Sequence, residues 1–299
     1  MQILATLLTF LLWGIADLFY KIGNQGDNDK NHLKTGIMVG LIMGIHATYL
    51  LLTTNANIQI MDIIKYLPVS LCYITSMIIG YKGLKYLELS ISSPIQNTSG
   101  IIVALLFIIF FHEHYNYPFY IALASIFFGI IIIAMINLEK NKKERKAFQK
   151  KNTFQKILTL TILFPIAYCL LDGLGTFLDG IYLDKLKLIS EQSSLIAYEY
   201  TFALYGLITF IYLKRKKENF SVIKEKAKLA AAIFETGGEI FYVTAMSKNS
   251  TIAAPIIGSY CILSLLLSRI FLKEKLSQKE YIGIFLVLIG VIILAFLDI

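Results

Sequence analysis

Ten long apolar segments follow one another along the 299-residue chain, each separated from the next by a polar or turn-forming stretch. A helix needs about 20 predominantly apolar residues to cross a bilayer. The predicted spans are 2–20, 35–52, 63–83, 91–111, 118–138, 157–178, 194–213, 229–246, 252–272 and 281–297. This pattern predicts an all-α integral membrane protein with ten transmembrane helices and no further domain.

The second half of the chain repeats the first in an ungapped register of 161 residues. Between positions 81 and 134, 16 of 54 residues are identical to their partners. Apolar identities arise easily in membrane helices, so the polar and turn-forming matches carry the repeat: Tyr81 with Tyr242, Pro94 with Pro255, Glu113 with Glu274, Tyr120 with Tyr281 and Gly129 with Gly290. We predict a first five-helix repeat at 1–138, a basic linker at 139–156 and a second five-helix repeat at 157–299.

A repeat of five helices has an odd number of crossings, so the second copy is predicted to run through the membrane in the opposite direction to the first. Two inverted repeats place a binding site near the bilayer midplane and open it alternately to the two sides. The sequence therefore predicts a secondary transporter that works by alternating access.

The charged residues support a membrane location and suggest an orientation. Only 16% of the residues are charged while 57% are hydrophobic, and the net charge is +8. The loops after the first, third, fifth, seventh and ninth predicted helices hold 24 of the 28 Lys and Arg residues. Basic loops stay in the cytoplasm, so we predict a multi-pass plasma-membrane protein with basic cytoplasmic loops and both termini outside. This distribution does not indicate nucleic-acid binding.

Three stretches carry a family resemblance: LLWGIADLF in the first helix, SSPIQNTSGIIVALLFIIFFHE, and AAPIIGSYCILSLLLSRIFLKEKLSQKEYIGIFLVLIGVIIL. With them, the chain resembles the drug/metabolite transporter superfamily, specifically its ten-helix EamA-type members, over essentially its whole length. In that family each half ends with a proline-initiated helix, a glutamate at a turn and a glycine-containing last helix. The matching residues here are Pro94, Glu113 and Gly129, then Pro255, Glu274 and Gly290.

The resemblance implies transport of small metabolites, mostly by exchange or proton coupling, and it does not specify the solute. Members of the family are often described with both termini in the cytoplasm. The charge distribution of this chain predicts the reverse arrangement.

Two acids lie deep in the eighth predicted helix. Glu239 is about 16 Å along the helix from Lys228, near the midplane of a bilayer core, and Glu235 lies one turn earlier on the same face. Two carboxylates this close in a low dielectric cannot both ionise easily, so we predict a proton-carrying pair. The alternative is that they hold helices together through hydrogen bonds. Ile74 and Ile78 occupy the equivalent positions in the first repeat.

Other polar side chains inside the spans are candidate path-lining residues. In the first helix Trp13 and Asp17 share a face, which would suit a cation, although Asp17 is also placed to pair with Lys21. His46, near the middle of the second helix, is either a path residue or a hydrogen-bonded packing residue. Glu199 is predicted to lie in a vestibule nearer the outer face. Tyr81 and Tyr242 flank either the path or the helix ends.

The triplet His112–His114 does not indicate a metal site, because adjacent side chains on a helix diverge and the second repeat replaces HEH with KEK. No cofactor and no enzymatic activity are expected. The predicted partners are a small polar or amine-bearing metabolite, the lipid bilayer and, as a coupling ion, the proton. A flippase for a lipid-linked headgroup is the alternative function, and the oligomeric state is open.

Overall fold

The structure is a computed structural model that describes residues 2–26, 28–54, 58–146, 151–274 and 276–297. Within these ranges every regular element is helical. The eleven helices are α1 (Gln2–Asn24), α2 (Asn31–Thr53), α3 (Ile60–Gly83), α4 (Leu89–Asn97), α5 (Ser99–Phe111), α6 (Tyr117–Lys146), α7 (Lys151–Gly180), α8 (Glu191–Arg215), α9 (Lys226–Gly258), α10 (Cys261–Leu267) and α11 (Gln278–Leu297). Two π-helical turns, Ile181–Lys185 and Ser268–Leu272, follow α7 and α10.

Nine segments of the described chain are long and apolar enough to cross a membrane. They overlap the ten predicted spans, with the eighth and ninth joined in one run of 47 residues, Lys226–Leu272. Inside this run Asn249 leaves helical geometry, with φ −154° and ψ 89°. Residues 147–150 of the predicted basic linker lie outside the described residues.

Two predicted spans are each broken near the middle. The break between α4 and α5 falls at Thr98, and the break between α9 and α10 falls at Ser259. A proline lies four residues before each break. The Thr98 hydroxyl donates to the Pro94 carbonyl over 3.0 Å, and the Ser259 hydroxyl donates to the Pro255 carbonyl over 2.8 Å. These bonds satisfy backbone groups that could find no water inside a bilayer.

The two halves of the chain are interleaved. α1 makes most of its contacts with α9, α7 packs on α3, α2 packs on α8 and α6 packs on α11. At the centre, the two broken helices cross backbone to backbone at Gly100 and Gly258. A Cβ atom on Gly100 would lie 2.4 Å from the Ala254 carbonyl oxygen, and one on Gly258 would lie 2.9 Å from that of Asn97. Only glycine therefore fits at this crossing.

The Lys-rich loops gather at one end of the bundle. Lys30 contacts Glu218 at 3.0 Å, Lys85 pairs with Asp29, and the Glu274 carboxylate accepts hydrogen bonds from the backbone N–H groups of Leu89 and Ser90. The hydrogen bond and positive charge of Lys85 lower the pKa of the exposed Asp29 carboxyl. At the opposite end, Gln2 donates to the Asn249 carbonyl over 3.3 Å. Which end faces the cytoplasm stays a prediction.

Candidate functional site

A cavity of about 70 Å³ lies between the two halves, beside the crossing of the broken helices. α1, α3, α4, α5, α7, α8 and α9 all contribute to its wall. Six of the eight candidate residues line it: Trp13, Asp17, Tyr81, Glu235, Glu239 and Tyr242. His46 and Glu199 do not line it and contact each other elsewhere.

α1 holds the turn of α9 that carries the two glutamates. Trp13 Nε1 donates to the backbone carbonyl of Glu235 over 3.3 Å, and the Thr9 hydroxyl donates to that of Gly238 over 3.3 Å. The Trp13 ring also stacks on Tyr242, with 4.9 Å between ring centroids. A Cβ atom on Gly238 would lie 2.3 Å from Trp13 Cδ1. Gly238 therefore leaves the space in which the indole lies against the helix.

Four carboxylates line the cavity, and no Lys, Arg or His occurs among its described lining residues. Glu235 and Glu239 are buried, with 8% and 5% of their surface exposed. Asp17 accepts a hydrogen bond from Ser93 over 2.6 Å, and Asp172 accepts one from Ser99 over 2.8 Å. The two aspartates thus hold the broken helix on both sides of its break.

Lys21, which the sequence placed beside Asp17 as a possible partner, contacts backbone carbonyls in the structure. The Lys21 ammonium donates to the backbone carbonyls of Leu84 and Leu87 over 2.7 and 2.6 Å. It therefore satisfies carbonyls at the end of α3, while Asp17 faces the cavity through its bond to Ser93. This position fits the path-lining hypothesis for Asp17.

Sequence reasoning missed several lining residues. Asp172 and five further lining tyrosines were not among the candidate residues: Tyr20, Tyr73, Tyr168, Tyr198 and Tyr260. Apolar helices contain many tyrosines, so only packing separates those that face the cavity from those that face lipid.

Three polar groups in the cavity wall have unused hydrogen-bonding capacity. The hydroxyls of Tyr20 and Tyr81 and the amide nitrogen of Gln96 are buried without a hydrogen-bond partner among the described residues. Unpartnered buried polar groups are costly and need a partner. Here the cavity offers space for one, either a polar solute or water.

His46 and Glu199 form a pair between α2 and α8. His46 Nδ1 lies 2.7 Å from one Glu199 carboxylate oxygen and 3.0 Å from the other. The Glu199 side chain is fully buried, while 20% of the His46 side chain is exposed. The helices can approach because Gly40 has no Cβ atom. A Cβ atom there would lie only 2.5 Å from the Phe202 carbonyl oxygen. The pair therefore links two helices and does not line the central cavity.

Replacing His46 with leucine is expected to destabilise the protein by about 3 kcal/mol, because it leaves the buried Glu199 carboxylate without its partner. Thermal unfolding in detergent measures the loss. The double variant His46→Leu with Glu199→Leu is the control and should recover part of the stability. Equal stability of the single variant and the wild type would contradict an energetic role for the pair.

A second polar cluster lies at the end of the bundle opposite the Lys-rich loops. Lys185 contacts Glu113 at 2.5 Å and Asp184 at 2.7 Å, and Glu113 also accepts a hydrogen bond from the Thr251 hydroxyl over 2.6 Å. Burial and the neighbouring Glu113 raise the pKa of Tyr115, in the same loop, to about 12. Glu113 of the HEH triplet thus takes part in an ion cluster that joins three chain segments.

Comparisons with known proteins agree with a transporter. The model of the EamA-like transporter family matches residues 1–135 and again 157–296. A Lactococcus lactis subsp. lactis (strain IL1403) protein named "Putative sugar uptake protein YxfA" is 22% identical over 223 residues, 72% of each chain. An uncharacterized Methanocaldococcus jannaschii protein is 26% identical over 127 residues, which are 41% of this chain and 87% of that one.

A solved crystal structure has the same fold, with a TM-score of 0.69 at 12% sequence identity over 99% of this chain and 97% of its own. The two matches to the family model together cover nearly the whole sequence, and the apolar helices have the length that a bilayer requires. The chain therefore belongs to the EamA-like transporter family and is a multi-pass membrane transporter.

Proposed function

We propose that this protein is a secondary transporter that moves a small polar or amine-bearing metabolite by alternating access, with coupling to protons. Two inverted repeats of five helices would enclose the cavity and open it to one side at a time. The observation that carries the proposal is the buried cavity itself, with four carboxylates and no basic residue in its described wall.

Ten crossings are supported by the contacts of the Lys226–Leu272 run. Near its start, Lys228 donates to Asn31 over 3.4 Å, at the end of the bundle that holds the Lys-rich loops. In its middle, Asn249 contacts Gln2 at the opposite end. Just after it, Glu274 contacts Leu89 and Ser90, again at the first end. A chain that reaches the far end and returns crosses the bilayer twice.

The inverted repeat is supported by reciprocal contacts in the register of 161 residues. A Cβ atom on Gly129 would meet Val287 and the Gly283 carbonyl. A Cβ atom on Gly290, the repeat partner of Gly129, would meet Ile126 and the Ala122 carbonyl. Ile126 and Ala122 are the repeat partners of Val287 and Gly283. Two equivalent positions even touch each other, because Ser125 donates to the Leu286 carbonyl over 2.7 Å. Such self-matched contacts are expected along a two-fold axis between the repeats.

The charge of the cavity wall favours some solutes over others. Four carboxylates without a basic neighbour repel anions, so sugar phosphates and organic acids are poor candidates. An amine gains from the carboxylates and from the aromatic rings. A neutral sugar is the second candidate, because the unpartnered tyrosine and glutamine groups can bond hydroxyls and a distant relative carries the name of a sugar uptake protein.

Glu239 and Glu235 are the proposed coupling residues. They lie one turn apart on α9 and both line the cavity. A proton that binds one conformation more tightly than the other shifts the balance between inward-open and outward-open states. This is the link that coupling requires.

Proteoliposome flux tests the proposal. Labelled amines and neutral sugars are offered with an imposed pH gradient, and the same vesicles treated with a protonophore are the control. We expect saturable uptake of one class, accumulation only while the gradient persists, and no competition by sugar phosphates. Flux of both amines and sugars no greater than that of empty liposomes would contradict the proposal. Accumulation that does not depend on the pH gradient would also contradict it.

A further inference from the structure

Asp179, in the last turn of α7, is a buried acid outside the cavity. No part of the residue is exposed, and it does not line the cavity. Its Oδ1 accepts a hydrogen bond from the Tyr66 hydroxyl. Its Oδ2 has no partner with hydrogen-bond geometry among the described residues, where the neighbouring hydroxyl is that of Tyr242 and no ion pair reaches the carboxylate. A charged carboxylate in this environment is strongly disfavoured, whereas a protonated carboxyl group is neutral.

The same face of α7 leads from Asp179 to the cavity. Asp172, Thr176 and Asp179 are spaced i, i+4 and i+7, so they lie above one another on the helix. Asp172 and Thr176 line the cavity. The helical rise places Asp179 about 10 Å beyond Asp172.

Tyrosines extend from this face towards the turn of α9 that carries the two glutamates. The Tyr73 hydroxyl lies 3.1 Å from the Thr176 hydroxyl, to which it donates, and 2.6 Å from the Tyr242 hydroxyl. Tyr242 stacks on Trp13, whose indole bonds the backbone of Glu235. The titratable groups around Asp179 are thus Tyr66 and Tyr73 from α3 and Tyr242 and Glu239 from α9.

Polar groups continue beyond Asp179 towards the end of the bundle. The Tyr66 ring packs edge-on against Tyr182, in the π-helical turn that follows α7. That turn ends in Lys185, which contacts Glu113 and Asp184. Asp179 therefore lies between the acidic cavity and the ion cluster at the opposite end from the Lys-rich loops.

We propose that Asp179 is a second proton-carrying site, which transfers a proton between the cavity carboxylates and that end of the transporter. Its ligand is the proton, held on the carboxyl oxygen that no other group satisfies. The proton leaves by transfer to water when the end opens, and the carboxylate is then the base that accepts the next one. This inference rests on the proposed proton coupling and extends it to a residue outside the solute cavity.

Infrared difference spectroscopy tests the protonation directly. Wild-type protein in lipid nanodiscs is compared at acid and alkaline pH with Asp179→Asn and with Asp29→Asn, an exposed acid whose side chain is 82% accessible. We expect a C=O stretching band of a protonated carboxyl group that disappears in Asp179→Asn and persists in Asp29→Asn. Identical bands in wild type and Asp179→Asn would overturn the proposal.

Transport then tests the role. We expect Asp179→Asn to lower the ratio of gradient-driven accumulation to solute exchange by about tenfold. A purely structural role would lower both rates together and leave the ratio unchanged, which would overturn the proposal. Tyr66→Phe, which removes the hydrogen bond and keeps the acid, should shift the pH profile of accumulation without abolishing it. If wild-type protein shows no gradient-driven uptake, the proposed function fails, while the infrared result still decides whether Asp179 carries a proton.

Discussion

Gly238→Ala is expected to displace Trp13 from the cavity wall and to lower transport about tenfold. The new Cβ atom would lie 2.3 Å from Trp13 Cδ1 and 2.5 Å from its Nε1, so the indole must leave its hydrogen bond to Glu235 and its stack on Tyr242. Overpacking of this kind costs about 1–3 kcal/mol, and about 1.4 kcal/mol corresponds to a tenfold change in rate.

The neighbouring glycine supplies a matched control. A Cβ atom on Gly237 would lie 3.6 Å from Leu12 Cδ1, an ordinary contact. Alanine is also the better helix former by about 0.5–1 kcal/mol, so Gly237→Ala should be neutral or stabilising while Gly238→Ala destabilises.

The chain's one tryptophan makes the measurement specific. Fluorescence excited at wavelengths that the 18 tyrosines do not absorb reports Trp13 alone, so Gly238→Ala should shift the emission and raise quenching by a soluble quencher. Identical spectra and unfolding temperatures for the two alanine variants would show that the indole does not depend on Gly238.

Glu239→Gln is expected to abolish gradient-driven accumulation, with a loss of at least about tenfold and a flattened pH dependence of uptake. Glutamine keeps the size and hydrogen-bonding capacity of a protonated glutamate but cannot release a proton. Glu235→Gln should have a similar effect if the two acids share one proton. Uptake into proteoliposomes across a series of external pH values measures both variants.

The double variant separates a shared proton from two independent sites. Groups that act as one unit show non-additive effects, so Glu235→Gln with Glu239→Gln should lose little more than either single variant. Glu218→Gln, in a loop at the Lys-rich end, is the control for a glutamate outside the cavity. Accumulation by Glu239→Gln at the wild-type level would remove this residue from the coupling mechanism.

Depth within an apolar helix was the sequence signal that worked best for the site. Glu235 and Glu239, which depth singled out, both line the cavity, because a polar group in a bilayer must find a polar surface inside the protein. Depth did not identify Asp179, because the predicted sixth span ended at residue 178, whereas α7 continues to Gly180.

Contacts between distant helices could not be read from the sequence. His46 and Glu199 were treated as separate candidates, since their pairing depends on how closely α2 and α8 approach at Gly40. The breaks at Thr98 and Ser259 were also not predicted, although Pro94 and Pro255 precede them. The prolines were interpreted as helix starts, and only the structure places each of them inside a helix.

The interleaving of the two halves has a consequence for how the protein forms. α1 has its main surface on α9, and α7 has its main surface on α3, so neither half can complete its own packing. During synthesis the first half is inserted into the lipid before its packing partners exist, and its polar residues stay unpacked until the second half has been inserted. Each half expressed by itself should be degraded, whereas the two halves co-expressed as separate polypeptides should protect each other.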